Sequence, residues 1–356
     1  MANLLQLTEA GLYCAAGDFY VDPWQPVPRA VITHAHSDHA RPGSRHYLTT
    51  KDGAGVLRLR VDYVDPAHPG PRPQFRTLAY GERLTLNDVT VSLHPAGHLL
   101  GSAQVRIEQH GEIWVVSGDY KTEHDDTCAP FEPVRCHTFI SESTFGLPIY
   151  RWRPQGEIFA QINTWWRTNQ TQGRTSILYA YALGKAQRLL AGIDPSIGPV
   201  LVHGSIQRLN NAYHQSGIDL PDAHYANDEL ARKHRGQALL LAPPGMENTP
   251  GYLRKFGEAS HAFASGRMTI RGTRRRRAID RGFVLSDHAD WRGLLDAITA
   301  TGAERIGVTH GYAAALVRYL LEQGKDAWVI PTRYEGEVSE EVAVAESNVD
   351  DQEKGE

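Results

Sequence analysis

Short apolar runs recur along the chain, and each ends in a polar cluster. "RAVITH" runs into His34, "VTVSLHPAGH" into His98, "IWVVSGD" into Asp119 and "TFISE" into Glu142. Far downstream, "GFVLSDH" ends at His288 and "RIGVTH" at His310. These β-branched and aliphatic runs predict buried strands. Their polar residues fall just past the strand ends, where loops carry sites on a rigid scaffold. Between Tyr150 and Arg281 the texture changes. "GEIFAQINTWWRTN" predicts a helix, and "TSILYAYALGKAQRLLAGI" a strand, a turn and a helix. "PVLVHG" and "ALLLAPP" read as further strands, and such alternation predicts parallel α/β units. The expected organisation is a first domain over 1–150, an insertion over 151–280, a return segment over 281–335 and a tail over 336–356.

Composition changes this picture little. The 356 residues are 41% hydrophobic and 22% charged, ordinary for a globular chain with a large core. No apolar run reaches the ~18 residues of a membrane span, and no basic segment followed by a long apolar run opens the chain. Cys14, Cys128 and Cys136 form no CxxC pair, which fits a reducing cytoplasm better than a disulfide framework. Charge matters more. Nine acidic residues and one lysine between Glu335 and Glu356 sum to −8, so the net −4 leaves +4 on the rest. The tail has no aromatic residue after Tyr334 and reads as disordered and solubilising. A partner-binding or DNA-mimicking role is its minority reading.

The candidate chemistry is concentrated in "THAHSDH", where His34, His36, Asp38 and His39 fall within six residues. In an extended segment residues i and i+2 point the same way. His34 and His36 can therefore converge on one metal while Asp38 and His39 turn toward a second. Imidazole and carboxylate suit zinc, and also manganese or iron. Each metal needs further ligands, and His98, Asp119 and His310 stand at the ends of strand-like runs. A carboxylate can bridge two ions, and Asp119 is the candidate bridge. The plain alternative is a polar surface loop, which a histidine pair alone would not displace. Four ligand types in six residues, with three more at strand ends, do displace it.

The order HxHxDH (His34, His36, Asp38, His39), "AGH" (His98) and "SGD" (Asp119) resembles the metallo-β-lactamase family. "ISESTFG" with Glu142, "LSDHAD" with His288 and "VTHGY" with His310 are similar to motifs A, B and C of its β-CASP group of nucleic-acid-cutting enzymes. "ESTFGLPIYRW", "YALGKAQRLL" and "DRGFVLSDHADW" look like the bacterial DNA ligase-associated exonucleases. The resemblance covers nearly the whole chain apart from the tail. It implies an α/β fold: a four-layer αββα sandwich with a two-metal site at one edge, interrupted by an inserted β-CASP α/β domain. It further implies DNA end processing in repair beside an ATP-dependent DNA ligase and a helicase, with 5′→3′ digestion favoured and no role at a membrane. His310 is shared with the RNA-cutting branches and absent from the Artemis-like DNA nucleases, so an RNA-processing ribonuclease is the alternative.

On that resemblance, His34, His36, His98 and Asp119 would form site one, and Asp38, His39, Asp119 and His310 site two. The ions expected are two divalent metals, zinc first and manganese second, about 3.5–4 Å apart. His288 would be the general acid for the leaving oxygen, oriented by Glu142, whose charge favours the protonated ring. Asp38 counts among the catalytic residues as well as the ligands. "RMTIRGTRRRRAIDR" holds seven arginines in fifteen residues. Arg271, Arg274, Arg275, Arg276 and Arg277 are its candidate phosphate contacts, because the arginine fork fits phosphate oxygens. Lys185, at a predicted helix N-terminus, is a further phosphate candidate. Trp165 and Trp166 read as core residues rather than as base-stacking platforms.

Overall fold

The computed structural model describes residues 3–62, 72–270 and 279–333, which divide into two compact α/β units. One comprises the chain to Pro148 together with the segment from His288 onward, and the other runs from Ile149 to Asp287. The arginines at 271 and 274–277 and the acidic tail lie outside the described residues.

The first unit contains two sheets. One has six strands in chain order, from Gln6–Thr8 to Gln74–Leu78, antiparallel at its start and parallel from Phe19–Val21 onward. The other has seven. Its parallel half runs Asp326–Val329, Arg305–Thr309, Thr138–Glu142, Glu112–Val116. Its antiparallel half continues through Ala103–Gln109 and Val89–Pro95 to Arg83–Leu86. Strand alternation sorts the side chains. Trp114, Val116 and Ile140 share a core with Phe19, Val31 and Leu48 of the other sheet. Val115 and Phe139 face the opposite way, against Leu294 and Ile298 of the helix Trp291–Thr301 and Leu316 and Leu320 of the helix Ala313–Glu322.

Register sets what arrives at one edge. Val116 pairs with Ile140, and Glu142 with Thr309, so three parallel strands end almost level. The residues that follow, Ser117 to Asp119 and His310, therefore leave the sheet beside Glu142.

The second unit is built on one parallel sheet of six strands, ordered His224–Tyr225, Val200–Val202, Leu239–Ala242, Thr175–Tyr179, Ala259–Ala264, Arg281–Phe283. A parallel sheet needs cover on both faces. Leu178, Val202 and Leu241 pack under Ile162, Trp166 and Leu190, which come from the helices Gln155–Thr171 and Lys185–Gly192. Ile177, Leu201 and Leu240 pack on the other face with Ala231, Met246 and Phe256. Trp165 and Trp166 are buried here, donating to Ser260 Oγ and the Gln237 carbonyl. One expected boundary shifts. Arg281–Phe283 pairs with Ala262–Ala264 in this sheet, so the return to the first unit begins at His288 rather than at 281. "GFVLSDH" has the same apolar texture as the strands of the first unit, and texture alone does not say which sheet a strand joins.

Candidate metal centre

The loop after Arg29–Val31 brings Thr33 to His39 to the edge of the first unit. His34, His36, Asp38 and His39 are all buried, as are His98 and Asp119. Polar side chains at this depth need partners or a ligand. His34, His36, His98 and Asp119 each offer a ligand atom within 4.8 Å of the others, and Asp38, His39 and His310 form a second such group. Asp119 Oδ2 lies 3.6 Å from His34 Nε2 and 3.3 Å from His39 Nε2, so it stands between the two groups. His36 Nδ1 and His98 Nε2 are 3.1 Å apart. The rings of His39 and His310 stack with centroids 5.0 Å apart.

The donor set fits divalent cations. Among the described residues, His34 Nε2, Asp38 Oδ1, His39 Nε2, Asp119 Oδ1 and His310 Nδ1 are buried with no hydrogen-bond partner. Five unsatisfied ligand atoms in one cluster are costly in a protein interior. Imidazole nitrogens and carboxylate oxygens are the ligands zinc, manganese and iron take.

Electrostatics point the same way. Burial pushes His34 well below the ordinary histidine value, and the neighbouring His39 and His98 push it further. Burial opposes charge on His39 too, yet Asp119, Asp38 and Asp22 outweigh it and hold that ring well above its usual value. Burial would raise Asp119, but His39, His288 and His34 hold it well below the carboxylate range. His310 is lowered by burial and then by His39. A positive charge is thus favoured where the carboxylates meet.

Supporting residues fix the ligands. Asp22 accepts from the Thr33 backbone N–H at 2.8 Å and the Thr33 hydroxyl at 2.6 Å. Its Oδ2 is also 2.8 Å from His39 Nδ1. A carboxylate only accepts, so Nδ1 is the donor and Nε2 is left to face the centre. Asp22 itself sits at φ +45°, and His310 at φ +54°. Left-handed backbone is uncommon for residues other than glycine and needs surroundings that hold it. At His310 the Ser143 hydroxyl does so, donating to the carbonyls of His310 and, at 3.1 Å, of Thr309. Gly311 follows at φ +59°, and a Cβ there would stand 2.4 Å from the Ser143 carbonyl oxygen. Asp22, Thr33 and Ser143 escaped the sequence reading. The one trace they leave is that Asp22 ends an apolar run, "FYVD".

Glu142 is fully buried at the end of its strand. It accepts from the backbone N–H of Tyr120 at 2.8 Å and of Thr144 at 3.2 Å. His288 Nδ1 lies 3.0 Å and 3.1 Å from its two oxygens and 3.9 Å from Asp119 Oδ2. The His288 and His98 ring centroids are 4.7 Å apart. The structure therefore brings His34, His36, Asp38, His39, His98, Asp119, Glu142, His288 and His310 together. Lys185 is different. It does begin a helix, but its ammonium is buried, 3.0 Å from Asp287 Oδ1 and 4.5 Å from the centre of the Tyr181 ring. That ion pair replaces the exposed phosphate contact expected of it.

No protein-family model matches the chain. It is 32% identical over 322 residues to a probable DNA ligase of Opitutus terrae, an alignment taking in 90% of this chain and 30% of that protein. It is 28% identical over 260 residues to the transcription termination factor FttA of Methanothermobacter thermautotrophicus, covering 58% of this chain and 40% of that one. A ribonuclease of Thermus thermophilus is 29% identical over 194 residues, 48% of this chain and 44% of its own. The chain thus spans less than half the length of these curated relatives. Among solved structures, a protein of unknown function from Enterococcus faecalis matches with a TM-score of 0.57 at 14% identity, over 86% of this chain and 80% of that one. A likeness at that identity speaks for the fold alone.

Proposed function

The chain belongs to the β-CASP group of the metallo-β-lactamase family, and on that premise we propose that it is a metal-dependent exonuclease that shortens DNA ends. The reading is carried by one observation: two groups of ligand atoms and a carboxylate-held imidazole meet at one sheet edge. In this reading the two-sheet unit is the four-layer αββα sandwich, consistent with helices packed on the outer face of the seven-stranded sheet. The unit from Ile149 to Asp287 is the inserted β-CASP domain.

His34, His36, His98 and Asp119 would hold one divalent ion, and Asp38, His39, Asp119 and His310 a second, zinc first and manganese as the alternative. Bound there, such ions supply Lewis acidity and lower the pKa of water to about 7. Asp22 presents His39 Nε2 to the centre, and Ser143 holds the backbone that presents His310. His288 has Nδ1–H committed to Glu142, which leaves Nε2 as its proton-bearing face. As the phosphorus–oxygen bond breaks, His288 gives that proton to the leaving oxygen, and Glu142 stabilises the ring while it is charged.

DNA is favoured because the relative aligned along most of this chain is named a DNA ligase. The same name supports work beside a DNA ligase; ATP dependence of that ligase, a helicase partner and a place in DNA repair rest on the family resemblance alone. Among the described residues no helix is long and apolar enough to cross a membrane. The three cysteines are free, and a cytoplasmic setting is proposed on that ground. RNA processing is the second reading, supported by His310 within the second ligand group and by a relative named a ribonuclease. Matched single-stranded DNA and RNA, each labelled at the 5′ or 3′ end, decide between them. Stepwise loss of DNA with the 5′ label released first, and intact RNA, is the expected result. Preferred cutting of RNA would replace the first reading with the second.

A further inference from the structure

The second unit carries a basic hollow that neither the metal centre nor the sequence motifs account for. Arg232, Arg235, Arg254 and Lys255 line it with Tyr252 and a single carboxylate, Asp228. Four cations against one acid leave a local charge of +3. Asp228 is already engaged, 3.2 Å from Arg232 and 3.6 Å from Lys255. Lys255 is further fixed by donating to the Ala226 carbonyl at 2.7 Å and by lying 4.1 Å from the centre of the Tyr252 ring. Arg235 is exposed, and its Nε donates to the Lys255 carbonyl at 2.9 Å, its one hydrogen bond among the described residues. Arg254 is exposed and has no ion pair among the described residues.

Guanidinium forks held this way present paired donors, the arrangement that phosphate oxygens accept. An aromatic stands close by in the chain. Tyr225 ends the edge strand just before this segment and is 50% exposed, so its ring face is open to a partner. Phosphate donors beside an open ring match a nucleic-acid strand, whose backbone takes the cations and whose bases stack. An acidic peptide offers charge but no flat partner for the ring.

We propose that this hollow is a second nucleic-acid-binding site, gripping phosphates of a single strand through Arg235 and Arg254 with Tyr225 stacking a base. The proposal rests on the nuclease reading and adds a contact surface to it. It is tested with the full chain carrying R235Q and R254Q, both exposed positions outside the catalytic machinery, and with R235K/R254K as the charge-preserving control. The salt dependence of binding to a long single-stranded DNA is measured, together with cutting of that strand and of a dinucleotide. The glutamine variant should lose about 1.4 from the slope of log affinity against log salt, roughly 0.7 per phosphate contact on a single strand. KM for the long strand should rise about tenfold with kcat and dinucleotide cutting unchanged, and the lysine variant should keep most of the wild-type affinity. Wild-type affinity and slope in the glutamine variant, while the wild type cuts DNA, overturn this proposal alone. A wild-type protein that neither binds nor cuts DNA or RNA overturns the nuclease reading with it. Displacement of DNA from the wild type by polyglutamate, with no slope change in the variant, overturns it in favour of an acidic protein partner.

Discussion

The two units differ in how they bury polar groups. In the second, several interior polar side chains are matched: Asn169 donates to Ser176, Gln187 to Asn210, and Trp166 to the Gln237 carbonyl. Gln207 Oε1 and Tyr252 Oη, buried there without a hydrogen-bond partner, belong to no group of ligand atoms among the described residues. Both faces of its sheet are covered by aliphatic and aromatic residues. The first unit has an equally apolar core between its sheets, but at one edge it buries ligand atoms from His34, Asp38, His39, Asp119 and His310 that find no hydrogen-bond partner among the described residues. Such groups cost stability unless something compensates them. This difference shows where binding free energy can go. A cation that satisfies these atoms binds the folded state and stabilises it by mass action.

Substitutions can break this contrast, and the largest effect is expected from the residue between the ligand groups. Asp119→Ala should reduce turnover to background and remove metal from both groups, since its carboxylate serves both; metal analysis with end-labelled DNA checks this, and retained cutting would end the bridging role. Next comes His288→Ala, expected to slow cutting by about 10²–10⁴-fold, the usual worth of a general acid. Its metal content should match the wild type, because His288 Nδ1 is held by Glu142 and the two proposed ion sites are filled by other residues; lost metal would instead make it a ligand. Asp22→Asn should weaken metal binding about 10–100-fold, as removal of an orienting partner does. A titration of metal into the stripped variant reads this directly. The smallest effect is expected from Ser143→Ala, which frees the His310 backbone: about tenfold weaker binding of one ion only, with the other unchanged. Equal weakening at both would show that Ser143 supports the whole edge.

The sequence showed the ligands because their chemistry is dense and local. Six residues hold His34, His36, Asp38 and His39, and the rest stand at the ends of runs whose hydrophobic texture marks strands. Residues that act through a tertiary contact left no such pattern. Asp22 is seventeen positions from the ring it orients, and Ser143 holds a carbonyl 167 positions away. Lys185 was readable as a helix start but not as the partner of Asp287, because burial and a distant carboxylate are invisible in "LGKAQ". The basic hollow was equally hidden, since Arg232, Arg235 and Arg254 are spread over segments that only folding brings together. Membership of the Arg281–Phe283 strand in the second sheet depends on pairing with Ala259–Ala264, which apolar texture does not encode.

We propose above all that the buried edge of the first unit is a metal centre that cuts nucleic acid. The most direct test strips the purified protein with chelator, restores zinc or manganese in measured steps, and follows ions bound per chain alongside cutting of end-labelled DNA and RNA. Two ions per chain, no cutting when stripped, and recovery that tracks occupancy are expected. Full cutting by the stripped protein, or restored occupancy of both groups with no cutting of either nucleic acid, would contradict it.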